Sequence, residues 1–132
     1  MQNIQLNLAV SDEFLRNVLE LADEACSWAE IVEYELSAEQ GRIAKVHIRE
    51  FGDERLPISE KVLGMEDIQE GIRRILQNDF TSQESHAQLH VTTRASLFEA
   101  LTVENGGDPG YVDLNDIDWI VQAAYFGHMV YG

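Results

Sequence analysis

Ile31-Val32-Glu33-Tyr34-Glu35-Leu36-Ser37-Ala38-Glu39-Gln40-Gly41-Arg42-Ile43-Ala44-Lys45-Val46-His47-Ile48-Arg49 is the stretch that decides the fold. Apolar and polar residues alternate on both sides of Glu39-Gln40-Gly41, the period-2 pattern of half-buried strands. A three-residue loop there puts Gly41 where a type I turn followed by a left-handed residue wants a glycine. Closing Ala38 against Arg42 pairs Leu36 with Ala44, Tyr34 with Val46 and Val32 with Ile48 on one apolar face. The other face pairs Glu35 with Lys45 and Glu33 with His47, and sets Arg49 opposite Ile31. A slip of one residue would mix the two faces, so a single register is specified. The hairpin is expected over residues 30–51.

Toward the amino terminus, Ile4, Leu6, Leu8 and Val10 alternate with Gln5, Asn7 and Ala9, which predicts a strand over residues 3–10. Ser11 supplies a capping oxygen, and Asp12 and Glu13 suit a first helical turn. Phe14, Leu15, Val18, Leu19 and Ala22 share one face of a helix running to about Cys26, with Glu20, Asp23 and Glu24 on the opposite face. Beyond the hairpin, Gly52 to Pro57 reads as turn and linker. A second helix starts at about Met65, carries Ile68, Ile72, Ile75 and Leu76, and ends at Asn78-Asp79. Phe80 to Thr92 has no clear pattern. Thr93 is placed to cap a third helix with Leu97, Phe98 and Leu101, stopping before the turn cluster Asn105-Gly106-Gly107-Asp108-Pro109-Gly110. A last helix begins at Asp113 or Asn115 and carries Ile117, Ile120, Val121 and Ala124. Gly127 ends it, and Met129-Val130-Tyr131 docks on the body. The expectation is the α+β class: a small antiparallel sheet, strand 3–10 plus hairpin 30–51, covered by about four helices.

The 132 residues suit one domain, 1–132, and 45% hydrophobic content is enough to build a core. No apolar run reaches the ~20 residues that span a bilayer, and Met1-Gln2-Asn3-Ile4 has no basic or apolar leader character, so a cytoplasmic location and no membrane partner are expected. The single Cys26 cannot form an internal disulfide and reads as a buried apolar residue. Against 9 basic residues stand 24 acidic ones, a net charge of −15. Repulsion disfavours direct contact with bare nucleic acid or anionic lipid, and a partner attracted by charge is a basic protein surface.

Motifs for chemistry are few. His86 and His90 have the i, i+4 spacing of a helical metal pair, but two ligands do not complete a site and no glutamate completes His-Glu-x-x-His. Glycine-rich phosphate loops and the Gly-x-Ser-x-Gly elbow are absent. No catalytic residue, cofactor or metal is assigned, and the chain is not expected to be an enzyme. Charge distribution says more than any motif. After Arg94 no lysine or arginine occurs, while Glu99, Glu104, Asp108, Asp113, Asp116 and Asp118 follow. Joined to Glu20, Asp23 and Glu24 on one surface, these carboxylates would imitate the phosphate rows of a duplex and occupy a basic nucleic-acid channel. Alternatively Asp113, Asp116 and Asp118 simply favour a helix amino terminus. Trp119 lies off the apolar stripe of the last helix and is the candidate exposed anchor. Tyr125, Phe126 and Tyr131 in the same segment raise the alternative of a homodimer, or a larger accessory assembly, joined through it.

Val10-Ser11-Asp12-Glu13-Phe14-Leu15, Trp28-Ala29, Met65-Glu66-Asp67-Ile68-Gln69-Glu70-Gly71-Ile72 and the ending from Asp118 to Gly132 resemble small acidic proteins of phages and mobile elements. The resemblance covers the two ends and one helix and carries over no functional residues. It implies a setting, the cytoplasm of a host cell. It also implies a class of partner, since small acidic phage proteins include inhibitors of host defence enzymes such as restriction and CRISPR systems, some acting as DNA mimics. The expected function is a non-enzymatic acidic protein that blocks a basic, nucleic-acid-handling host protein.

Overall fold

Ser11 caps the first helix as its position suggests: the Phe14 N–H donates to Ser11 Oγ at 3.1 Å, and helix α1 runs Asp12–Ala25. The computed structural model describes residues 8–39, 41–51, 57–77, 91–102 and 107–131. After α1 come strands β1 (Ala29–Leu36), β2 (Ile43–Phe51) and β3 (Pro57–Gly64) and helices α2 (Met65–Gln77), α3 (Val91–Thr102) and α4 (Leu114–Phe126). A 3-10 turn at Pro109–Tyr111 separates the last two helices. The three strands form one antiparallel sheet in the order β1-β2-β3, and helices pack on one of its faces. The fold is α+β, as expected.

The hairpin keeps its central register. Tyr34 pairs with Val46, Glu33 with His47 and Glu35 with Lys45, and Gly41 adopts a left-handed φ of 63° in the loop. Two bulges change the rest. Val32 is extra on β1, so Ile31 rather than Val32 faces Ile48, and Arg49 faces Glu30 rather than Ile31. Ala44 is extra on β2, so Leu36 faces Ile43. The turn closes at Ser37, whose N–H donates to Arg42 O at 2.7 Å, one residue earlier than the expected Ala38 closure. A bulge leaves one residue unpaired and bends its strand, while the side-chain alternation resumes beyond it.

The third strand departs from the sequence reading. Of the strand expected over 3–10, residues 3–7 lie outside the described residues, and Leu8 to Val10 carry no strand pairing. The third strand among the described residues is β3, in a segment that sequence patterning leaves unassigned beyond Pro57. Its inner face is Ser59, Lys61 and Leu63, of which Leu63 alone is buried, while Ile58 and Val62 face outward. Thus its apolar alternation marks the solvent side.

The core lies between the sheet and the helices. Val46 and Ile48 from β2 meet Phe14, Leu15, Val18 and Leu19 of α1 and Ile68, Ile72 and Ile75 of α2, all buried. Gly71 brings α2 against α4: a Cβ there would stand 2.8 Å from Ile120 O and 2.9 Å from Ala124 N, so any side chain forces backbone apart. Thr93 does not cap α3 but lies buried within it and gives its hydroxyl to Asp116. Asn78-Asp79, His86 and His90 lie outside the described residues. Gly127 ends α4 with φ 78°, and Met129 is buried beyond it.

The carboxy terminus is held by aromatic and polar contacts. Trp28 stacks on Tyr131 at 5.6 Å between ring centroids and meets Phe126 at 5.1 Å and Tyr125 edge-on at 5.5 Å. Glu50 is buried but satisfied, accepting from Ser59 Oγ at 2.8 Å and from the Tyr131 hydroxyl at 2.5 Å. A buried carboxylate without such donors would be strongly unfavourable. Gln122 closes the tail, its Oε1 accepting from the N–H groups of Val130 and Tyr131 at 2.9 Å each.

Candidate interaction surface

The acidic residues that the sequence groups together divide into two sets. In the carboxy-terminal set, Asp113 caps α4 and forms a reciprocal capping box with Asp116: the Asp116 N–H donates to Asp113 Oδ1 at 2.9 Å, and the Asp113 N–H to Asp116 Oδ2 at 3.0 Å. Asp116 also accepts the Thr93 hydroxyl at 2.7 Å and is buried, so it does not join an outward row. Asp118 is half-buried, accepting from Trp28 Nε1 at 2.7 Å and Gln122 Nε2 at 3.2 Å. Burial pushes its carboxyl above the usual aspartate value against the pull of those donors. Asp108 accepts from the Gly110 N–H at 2.9 Å and caps the 3-10 turn. Glu99 is exposed on α3, and Glu104 lies outside the described residues.

Trp119 requires a correction: it is only 6% exposed and belongs to the core. The expectation rested on a single apolar stripe, but α4 is enclosed on most of its circumference, with Asp116, Ile117, Trp119, Ile120, Val121, Gln122, Ala123 and Tyr125 all buried. Tyr125, Phe126 and Tyr131 pack around Trp28 within the chain, Tyr125 buried and Phe126 and Tyr131 half-buried. Cys26 is buried, and desolvation together with the nearby Asp118 raises its thiol pKa far beyond the reactive range.

The amino-terminal set behaves differently. Glu20, Asp23 and Glu24 are exposed on α1, as its helical periodicity predicts. α1 lies beside β1, and Asp23 is near enough to Tyr34 that its charge, after the larger effect of burial, pushes the phenol pKa up. Arg42, at the start of β2, bridges the two elements: it grips Glu13 with two nitrogens at 2.6 and 3.0 Å and reaches Glu20 at 3.3 Å. Its guanidinium holds the Glu13 carboxyl below the ordinary glutamate value. On the face of the sheet that no described helix covers, Glu33 and Glu35 project from β1. Among the described residues Asp23, Glu24, Glu33 and Glu35 make no ion pair, although Lys45 and His47 are the cross-strand neighbours of the latter two.

Lys45, opposite Glu35, makes no ion pair among the described residues, and Arg16 on α1 has its Nε buried without a partner, whereas most of the remaining cations are engaged elsewhere. Arg49 bridges Glu30 and Glu60 at 3.1 and 2.7 Å, and His47 reaches Glu60 at 2.9 Å. Arg73 and Arg74 both reach Glu70, Arg94 donates to Leu76 O and Lys61 to Tyr125 O. On the helix side of β1, Tyr34 and Leu36 are 40% and 56% exposed, and Val32, the bulged residue, is 42% exposed. Among the described residues β1 is an edge strand with no helix beyond it to complete the cover, so its apolar side chains remain half in water. Sequence alternation identifies these residues as apolar partners of β2, but only strand order shows that they border solvent.

Two concave features accompany this surface. A groove of about 830 Å³ between Leu8–Val10, α2 and α3 has apolar walls from Val10, Ile72, Leu76, Phe98 and Leu101 and a rim carrying Glu66 and Arg73. A shallow depression of about 180 Å³ on the open sheet face is lined by Glu33, Glu35, Lys45, His47 and Val62. Among the described residues no three His, Cys, Asp or Glu side chains are grouped to hold a metal ion, and no helix is long and apolar enough to cross a membrane. No protein-family model, curated protein or solved structure matches the chain, so the flank of α1 and the edge of β1 must be judged on their own geometry.

Proposed function

We propose that this chain is a non-enzymatic binding protein that engages a basic surface of another protein through the α1–β1 side. One observation carries the reading: Glu20, Asp23 and Glu24 on the helix and Glu33 and Glu35 on the strand accompany the exposed Tyr34 and Leu36 of β1. An apolar centre with a charged rim is the anatomy of a protein interface, and the rim selects the sign of the partner. The class of partner that fits is a protein whose basic surface normally handles nucleic acid, such as a host defence complex. Support for that choice comes from the net charge of −15 and the resemblance to small acidic phage proteins. A duplex-like row built from Asp116, Asp118 and Trp119 is not part of this proposal, because those side chains turn inward.

Calorimetric titration with an arginine-rich peptide tests it. Binding should weaken at least tenfold between about 0.05 and 0.5 M salt, as screening shortens the reach of surface charge. It should weaken about tenfold again when Asp23→Asn, Glu24→Gln, Glu33→Gln and Glu35→Gln are combined, as expected for rim charges that steer a partner. Glu66→Gln with Glu99→Gln, also exposed but elsewhere, should leave it within about twofold. Equal losses in both variants would mean that net charge alone, and no particular surface, attracts the peptide.

A further inference from the structure

We infer that the free edge of β1 accepts an extended basic segment of the partner as a fourth strand, an inference that rests on the functional reading above and specifies its binding mode. β1 pairs with β2 along one side and, among the described residues, with nothing along the other. A strand sends alternate N–H and C=O groups to each side, so such an edge is a ready template for main-chain hydrogen bonds. The bulge at Val32 interrupts the ladder, and Glu33–Leu36 is the regular stretch that remains for pairing.

The side chains of that stretch state what the added strand should look like. Tyr34 and Leu36 lie on the helix side and are half-exposed, whereas Glu33 and Glu35 lie on the open face. Cross-strand neighbours meet on the same face, so the matching segment alternates apolar or aromatic residues, set against Tyr34 and Leu36, with lysine or arginine set against Glu33 and Glu35. Asp23, beside Tyr34, extends the preference for positive charge to the helix side. A second copy of this chain is the wrong occupant. Antiparallel self-pairing centred on Tyr34 would set Glu33 against Glu35 of the second copy twice, and like charges directly opposite are destabilising. The edge is therefore guarded against its own kind by the same carboxylates that suit a basic strand.

The test uses the unaltered full chain and a ten-residue peptide alternating lysine with valine and threonine. Two further peptides carry backbone N-methyl groups on every second residue, one in each alternate register. N-methylation removes a donor on one side of the peptide only, so a strand-added complex should lose at least tenfold in affinity in one register and less than twofold in the other. The Tyr34 and Leu36 amides should gain protection from hydrogen exchange on binding. Equal affinity for both methylated peptides would overturn strand addition while leaving the charge reading intact. Failure of every basic peptide to bind at low salt would overturn both. Dimerisation of the free chain through β1 would overturn the choice of occupant.

Discussion

Two acidic regions of this molecule have the same side-chain chemistry and opposite orientations. At the start of α4, Asp113 and Asp116 point at backbone N–H groups, and Asp118 points at an indole. Along α1 and β1, Asp23, Glu24, Glu33 and Glu35 point at solvent. The difference lies in what donors are near. The first turn of a helix has N–H groups without partners and a partial positive charge, so a carboxylate there becomes part of the backbone's hydrogen bonding. The middle of an exposed helical face, or the open side of an edge strand, has every backbone donor satisfied or turned away, and a carboxylate there stays in water. Acidic density along a chain is thus a poor guide to acidic density on its surface.

The sharpest way to break this contrast is to truncate one carboxylate from each region. Asp116→Ala removes half of the capping box and leaves the buried Thr93 hydroxyl without its acceptor. The expected loss is about 2–4 kcal/mol, combining a lost cap with an unsatisfied buried donor. Asp23→Ala removes an exposed side chain without an ion pair and should change stability by less than about 0.5 kcal/mol. Urea denaturation of the two variants gives both numbers, and comparable losses would abolish the distinction. A smaller loss is expected from Trp28→Phe, which keeps the ring near Tyr131 but withdraws the donor from Asp118. About 1–3 kcal/mol should disappear, since the half-buried carboxylate keeps Gln122 as its remaining side-chain donor apart from a weak contact with Cys26.

A pH titration separates buried from exposed carboxylates by sign. Asp118 has its folded pKa raised by burial, so it favours the folded state most at low pH and loses that contribution as pH rises through the folded value. Relative to Asp118→Asn, the native chain should therefore become less stable between acid and neutral pH. Glu60 has its folded pKa lowered, first by Arg49 and then by His47, so its contribution is present above the ordinary glutamate value and is lost as pH falls. Relative to Glu60→Gln, the native chain should become more stable over the same interval. Difference curves of the same sign would show that one of the two carboxylates has been assigned the wrong environment.

How much of this could be read from the residues alone depends on whether the deciding contact is local. The caps at Ser11, Asp113 and Gly127 are legible because a cap and its partner lie within a few residues. The centre of the hairpin is legible because Glu33 with His47 and Glu35 with Lys45 agree in charge with the apolar pairing of Tyr34 and Val46. The bulges are not, since exchanging Ile31 for Val32 against Ile48 replaces one β-branched residue by another and leaves the pattern unchanged. β3 escapes detection because the residues it turns toward the helices include Ser59 and Lys61, whose partner Tyr125 is more than sixty residues away. Asp118 escapes for the same reason: its indole partner stands ninety positions earlier. The proposed interaction surface is half legible: the α1 carboxylates follow from helical periodicity, but the exposure of Tyr34 and Leu36 does not, because alternation reveals pairing but not which strand ends the sheet.

The smallest stability effect belongs to the surface proposed to matter most for binding. Neutralising Asp23, Glu24, Glu33 and Glu35 together removes no hydrogen bond among the described residues and relieves repulsion within a chain of net charge −15. Unfolding free energy should hold or rise by no more than about 0.5 kcal/mol in total at low ionic strength. That gain should fade near 1 M salt, where the screening length is only ~3 Å. Affinity for a basic peptide should fall in the same variant. The two measurements are independent, because a side chain without intramolecular partners contributes little to folding yet stays available to a charge outside the chain. Loss of both stability and affinity would mean that these carboxylates are structural after all, and the contrast with the cap of α4 would vanish.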